Sequence, residues 1–213
     1  GLGQTLVLAG PGSGKTRVLT ERIAYLVRDL AVRPYHILAV TFTNKAAREM
    51  QSRVEQTLGD PCRDLWLGTF HSVCARMLRR EAAVLPFDSN FVIMDADDQD
   101  TLVKRVLKEL NVNDKLYRAS GVHAAISNAK NNLMQPKDYP RRNYRDEVIA
   151  RVYERYQQML LQSNALDFDD LLLWTVRLLQ ENPDVLERYG RRFEHVLVDE
   201  FQDTNTAQYL LLK

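Results

Sequence analysis

The sequence has only two cysteines, Cys62 and Cys74, which stand apart and form no C-x-x-C pair. That scarcity excludes a disulfide scaffold and a thiolate zinc site, and it reads as two reduced, buried thiols of a cytoplasmic protein. No apolar run approaches the roughly 18–20 residues that a membrane-spanning helix needs, and no signal-peptide pattern opens the chain. There is no excess of either charge: 29 Lys and Arg face 28 Asp and Glu, for a net charge of +1. The global balance therefore announces no nucleic-acid partner, and any such partner has to be read from local placement. Internal repeats and low-complexity tracts are missing too. What is there is ordinary for a globular protein with a real core, 45% hydrophobic and 27% charged residues. The 213 residues suit one large domain, or one domain carrying a sizeable insertion.

Short aliphatic and β-branched runs at residues 5–9, 36–41, 65–69, 91–94 and 195–198 read as buried parallel strands. Helical faces lie between the first three. Leu19, Ile23, Leu26 and Leu30 share one, and Ala47, Met50, Val54 and Leu58 share another. Such alternation implies an α/β domain with a parallel sheet and right-handed crossovers. Between about residues 97 and 161 only helical faces appear, such as Leu102, Val103, Val106, Leu107 and Leu110. The expected organisation is a first part of the α/β domain over 1–96, an inserted all-helical subdomain over 97–161, and a second part of the α/β domain over 162–213.

Ala9-Gly10-Pro11-Gly12-Ser13-Gly14-Lys15-Thr16 follows an expected strand and opens an expected helix. Glycines there permit a tight turn that aims successive backbone N–H groups at an anion. The helix that follows adds about half a positive charge at its N-terminus. Lys15 is placed to reach the β- and γ-phosphates of a nucleotide, and the Thr16 hydroxyl to ligate Mg2+. The strict phosphate-loop pattern has Gly where this chain has Ala9; the anion-binding part is intact. A phosphate loop also needs a carboxylate for its metal, and Asp199-Glu200 supplies one at the end of the run 195–198. Ligands of open parallel sheets sit at the carboxyl ends of strands, where Asp199 and the loop can meet. Asp199 is the candidate metal ligand and Glu200 the candidate general base.

Roughly 180 residues separate loop and acids, far more than one or two strand–helix units require. Five segments in this order carry a resemblance. They are Ala9 to Thr16, Thr41-Phe42-Thr43-Asn44-Lys45-Ala46-Ala47, Thr69-Phe70-His71-Ser72, Leu166-Asp167-Phe168-Asp169-Asp170-Leu171-Leu172, and Val198-Asp199-Glu200-Phe201-Gln202-Asp203-Thr204-Asn205. Together they resemble the UvrD/PcrA/Rep-type family of superfamily 1 DNA helicases. The resemblance implies a P-loop NTPase of RecA-like fold, with helices on both faces of the sheet and the helical subdomain inserted. It implies ATP hydrolysis with Mg2+, and movement along single-stranded DNA from 3′ to 5′ with unwinding of forked DNA, in repair or replication. On that likeness Gly10, Pro11, Gly12, Ser13, Gly14, Lys15 and Thr16 cradle phosphates, and Arg17 packs on adenine. Thr41, Phe42, Thr43, Asn44, Thr69, Phe70, His71 and Ser72 face DNA, with Phe42 and Phe70 offering stacking surfaces.

Other features stay open. Asn44 could be a plain helix cap, and Phe70 could be core. Asp167, Asp169 and Asp170 read as an acidic helix start rather than a metal cluster. Lys130, Lys137, Arg141, Arg142 and Arg145, with Tyr139 and Tyr144, form a basic patch that could grip duplex phosphates or be a solvated face. Both ends read as cut from a longer chain, so a second RecA-like domain and its arginines are expected elsewhere. Without them this stretch is expected to bind nucleotide weakly and not to unwind DNA. A RecB/AddA-like helicase-nuclease motor and a nucleotide- and DNA-binding scaffold without turnover are the alternatives. A small GTPase does not fit, because Asn44-Lys45 is followed at position 47 by Ala rather than Asp.

Overall fold

A computed structural model describes residues 5–8 and 14–213. It is a mixed α/β structure that divides into two compact units, Gly1–Val73 with Glu187–Asp203, and Cys74–Leu186 with Thr204–Lys213.

The first unit is built on a parallel sheet. Strand β1 (Ile37–Thr41) lies between β2 (Trp66–Thr69) and β5 (His195–Val198), in the order β2-β1-β5. All five residues of β1 are buried, which is why its sequence is a continuous apolar run with no alternation. Helix α1 (Lys15–Arg28) precedes the sheet, and α2 (Asn44–Leu58) connects β1 to β2. Ala47, Met50 and Val54 recur on the buried face of α2. They pack with Ile23 and Leu26 of α1, Ile37 and Ala39 of β1, and Leu197 of β5. Helix α2 stops at Gly59, whose left-handed φ of 69° lets its N–H close on the Glu55 carbonyl.

The second unit is mainly helical: α4 (Ala96–Glu109), α5 (Ala119–Asn131), α6 (Tyr144–Gln162), α7 (Phe168–Glu181) and the short α9 (Thr206–Leu212). Strands β3 (Val92–Ile93) and β4 (Ala165–Leu166) pair in parallel as a separate two-stranded sheet. Helices α3 (Phe70–Arg80) and α8 (Pro183–Arg192) run across the division between the units. Among the described residues no strand occurs between 97 and 161. Leu102, Val103, Val106 and Leu107 of α4 meet Val122 and Ile126 of α5 and Val152, Tyr153 and Tyr156 of α6 in one core. The starts of α4, α7 and α9 carry reciprocal capping boxes, Asp95 with Asp98, Asp167 with Asp170, and Asn205 with Gln208.

Four expectations are corrected. Residues 5–8 join no sheet, and Leu6, Val7 and Leu8 are 68%, 56% and 86% exposed; an aliphatic run signals a tendency to bury but does not name a partner edge. Residue 9 lies outside the described residues. The run at 91–94 does not enter the main sheet: only Val92 and Ile93 pair, in the second unit, with Val92 62% exposed. Leu30 falls beyond the end of α1 and is 51% exposed. Finally, Lys130 is not part of a surface patch. It follows Val122, Ile126 and Ala129 on the buried stripe of α5 and is fully enclosed.

Two carboxylates account for that buried lysine. Lys130 Nζ lies 2.6 Å from Asp167 and 2.8 Å from Asp170, at the N-terminus of α7. Tyr156 donates its hydroxyl to Asp167 at 2.9 Å, and the Gln157 amide donates to Asp170. Burial lowers the lysine pKa, but the two carboxylates outweigh it and hold the ammonium charged. Burial and the Asp167 charge push Asp170 up to about 6. The acids at 167–170 are therefore a helix start completed by a buried cation, and no metal-binding group of three appears among the described residues. Both cysteines are free and buried, and burial raises the Cys74 thiol to about 12, as expected of inert thiols.

Candidate functional site

The parallel register brings three strand ends into one row. Thr41 and Thr69 are Cα partners at the ends of β1 and β2, and Val40 pairs with Val198 at the end of β5. Asp199 continues that ladder, its N–H donating to the Val40 carbonyl at 2.9 Å. Residues far apart in the chain thus meet along the carboxyl edge of one sheet, the side on which open α/β sheets hold ligands.

Gly14 opens α1 with a φ of 86°, a left-handed conformation that suits glycine, and Arg17 and Val18 donate their N–H groups back to its carbonyl. Lys15 and Thr16 follow in the first turn. Lys15 Nζ reaches Glu200 Oε2 at 3.0 Å. Glu200 itself has a φ of 51°, unusual for a residue with a β-carbon, so the chain turns sharply off β5 toward that contact. Gln202 donates its side-chain amide to the same carboxylate oxygen. The Gln202 and Lys15 hydrogen bonds hold Glu200 below the usual carboxylate range. Asp199 is driven the other way, raised first by burial and then by the neighbouring Glu200 charge. It is only 7% exposed and hydrogen-bonds to the Thr16 side chain. A hydroxyl and a carboxylate drawn together are two hard oxygen donors, a set that fits Mg2+ completed by phosphate oxygens and water. Gly10, Pro11, Gly12 and Ser13 lie outside the described residues, and Arg17 is exposed in the first turn of α1.

The other two strand ends carry a polar and aromatic cluster. Thr43, not Asn44, caps α2, its hydroxyl accepting from the Ala46 N–H at 3.1 Å; Asn44 is the first helical residue and is exposed. The buried Thr41 hydroxyl donates to the Thr43 carbonyl. Thr69 accepts from the Ser72 N–H, and the Ser72 hydroxyl returns a bond to the Thr69 carbonyl at 2.9 Å. This turn is tight enough that a β-carbon on Gly68 would sit 2.4 Å from Ser72 Oγ. Phe42 is half-buried and meets Phe70 edge-on at 5.4 Å. Phe70, at 3% exposure, has no free face to stack on; it is the floor beneath Phe42. His71 is half-buried in the first turn of α3. Gln202 carries no signal of this role in the sequence beyond its place two residues past Glu200.

An α/β unit whose parallel sheet gathers a lysine, two acids and a row of hydroxyls at its strand ends is the class that fold and site define. The chain belongs to the UvrD/REP helicase N-terminal domain family, whose family model matches residues 1–213. It is 49% identical over 213 residues to the ATP-dependent DNA helicase PcrA of Bacillus subtilis (strain 168), covering 99% of this chain and 29% of that protein. The PcrA of Staphylococcus aureus (strain Mu50 / ATCC 700699) is 48% identical with the same coverage. That of Leuconostoc citreum is 50% identical, covering 99% of this chain and 28% of the relative. The chain thus spans less than a third of the length of these relatives.

Proposed function

We propose that this chain is the first RecA-like motor domain of an ATP-dependent DNA helicase, with residues 97–161 as its inserted helical subdomain. The pairing of Lys15 with Glu200, beside Asp199 and Thr16, carries this reading. It gathers a phosphate-binding cation, a metal-binding pair and a base at one sheet edge. Lys15 leaves Glu200 to take the β- and γ-phosphates of ATP, which frees the Glu200 carboxylate to orient and deprotonate the attacking water. Gln202 holds that carboxylate in place. Asp199 and Thr16 would hold Mg2+, which supplies charge neutralisation on the phosphate oxygens. Arg17 packs on the adenine.

The row Thr41 to Asn44 and Thr69 to Ser72 supports single-stranded DNA contact. Its hydroxyl, amide and imidazole groups suit phosphate and sugar, and Phe42 supplies a sequence-tolerant stacking face. Movement from 3′ to 5′, unwinding of forked DNA in repair or replication, and a second RecA-like domain across the cleft belong to the same proposal for the whole protein. Replacing Lys15 with Ala in the full-length protein tests it. DNA-stimulated ATP hydrolysis should fall by about 10²-fold or more, given what a charged group aimed at transferring phosphate contributes. An unchanged rate would overturn the motor reading.

A further inference from the structure

The second unit carries a groove that the nucleotide site does not use. Two adjoining cavities, about 530 and 220 Å3, lie along the connection from α4 to α5 and the first turns of α6. They share Leu116, Tyr117 and Arg145. Their walls are mixed: Leu110, Val112 and Val148 stand beside Asn111 and Asn113 in the larger, and Val122 and Ile149 supply the aliphatic part of the smaller. At the rim Leu116 and Tyr144 are 77% and 75% exposed. Exposed apolar side chains beside a concave surface are a feature that interaction sites share.

The charge is one-sided. Lys115, Arg118, Arg145 and Arg151 line the two cavities, and no carboxylate does. Elsewhere in this unit Lys104, Arg155 and Arg177 are neutralised by Asp100, Glu109 and Glu181. The four groove cations have no such ion-pair partner among the described residues. An occupant that matches this lining is anionic and also offers apolar surface to the aliphatic part of the walls. Duplex DNA meets the first requirement only: its phosphates lie on a convex cylinder and its apolar surfaces are stacked inside. An amphipathic peptide meets both, with carboxylates for the rim and a large apolar side chain for the cavity.

We propose that this groove docks an acidic peptide segment of a partner protein, anchored by a leucine or aromatic side chain between Leu116 and Tyr144. The test uses the full-length protein and a fluorescein-labelled helical peptide with a Leu/Phe stripe and Glu elsewhere. A scrambled peptide of the same composition and a labelled duplex DNA serve as comparisons. The striped peptide should bind at least about tenfold tighter than the scrambled one. Leu116→Ser and Arg145→Glu should each weaken it about tenfold, the scale of a lost anchor or a reversed contact. Both side chains are exposed, so folding should survive, and Arg145→Lys should bind within about twofold of the parent, since a rim contact that reads charge retains it. Equal binding of the two peptides, or striped-peptide binding indifferent to Leu116→Ser, would overturn the proposal. So would duplex DNA that binds in place of the peptide and is lost with Arg145→Glu but not with Leu116→Ser.

Discussion

Lys130→Met should be the most damaging single substitution in the helical unit. Methionine matches the length of the lysine stem but removes the one cation that, among the described residues, faces Asp167 and Asp170, which are 2% and 0% exposed. Breaking a buried ion pair by removing one partner costs about 3–5 kcal/mol, because the remaining charge is left without compensation. Here two carboxylates are left side by side, supported only by Tyr156, Gln157 and the backbone of the capping box. For a chain of this length that loss lowers Tm by roughly 6–20 °C. The pH dependence has a definite sign. Burial and the neighbouring Asp167 charge already push Asp170 up to about 6, so as pH falls the native state takes up a proton before the unfolded chain does. Without Lys130 its pKa rises further, and the variant should regain stability as pH falls from 8 toward 5. Replacing all three residues, with Asp167→Asn and Asp170→Asn added, should recover most of the loss, since no buried charge then remains. Urea unfolding followed by Trp174 fluorescence in a Trp66→Phe background isolates the helical unit, because Trp174 packs on Phe87 within it. A loss below about 1 kcal/mol at pH 8, or one that does not shrink on acidification, would refute the reasoning, being within the range of an exposed pair.

Two further outcomes concern the strand-end cluster. Glu200→Gln releases Lys15 from its ion pair, so nucleotide should bind about two- to fivefold tighter, as befits a partly exposed pair, while hydrolysis falls by about 10²-fold or more; titration with a fluorescent ATP analogue and a turnover assay separate the two, and weaker binding would count against the pairing. Asp199 holds its proton to a higher pH than an ordinary aspartate, so Mg2+-dependent nucleotide binding should weaken with acidification earlier than an ordinary carboxylate would allow; Asp199→Asn should abolish that pH dependence, and an unchanged profile would show that another group sets it.

Much of the architecture was legible in the chain. The faces at Ala47, Met50 and Val54 and at Leu102, Val103, Val106 and Leu107 are written in local periodicity, and helices follow such patterns whatever surrounds them. The central strand is a run of five consecutive buried residues, so its composition alone distinguished it. The acids at 199–200 were found for the same reason, as the polar end of an apolar run. Short runs without a period were ambiguous. Residues 5–8 and 91–94 looked alike, and the structure left one unpaired and placed the other in a different unit.

What the tertiary structure alone decided were the pairings between distant side chains. Nothing local says that Lys15 will meet Glu200, 185 positions away, or that Glu200 will take a left-handed turn to do so. Nor does local charge reveal that Lys130 is core while Arg145 lines a groove. Both are basic residues near polar neighbours, and the packing of α5 against α6 and α7 is what encloses the first. Periodicity is a property of a few consecutive residues and survives in the sequence. The electrostatic environment of a charge depends on which elements close around it, and that exists only once the chain has folded.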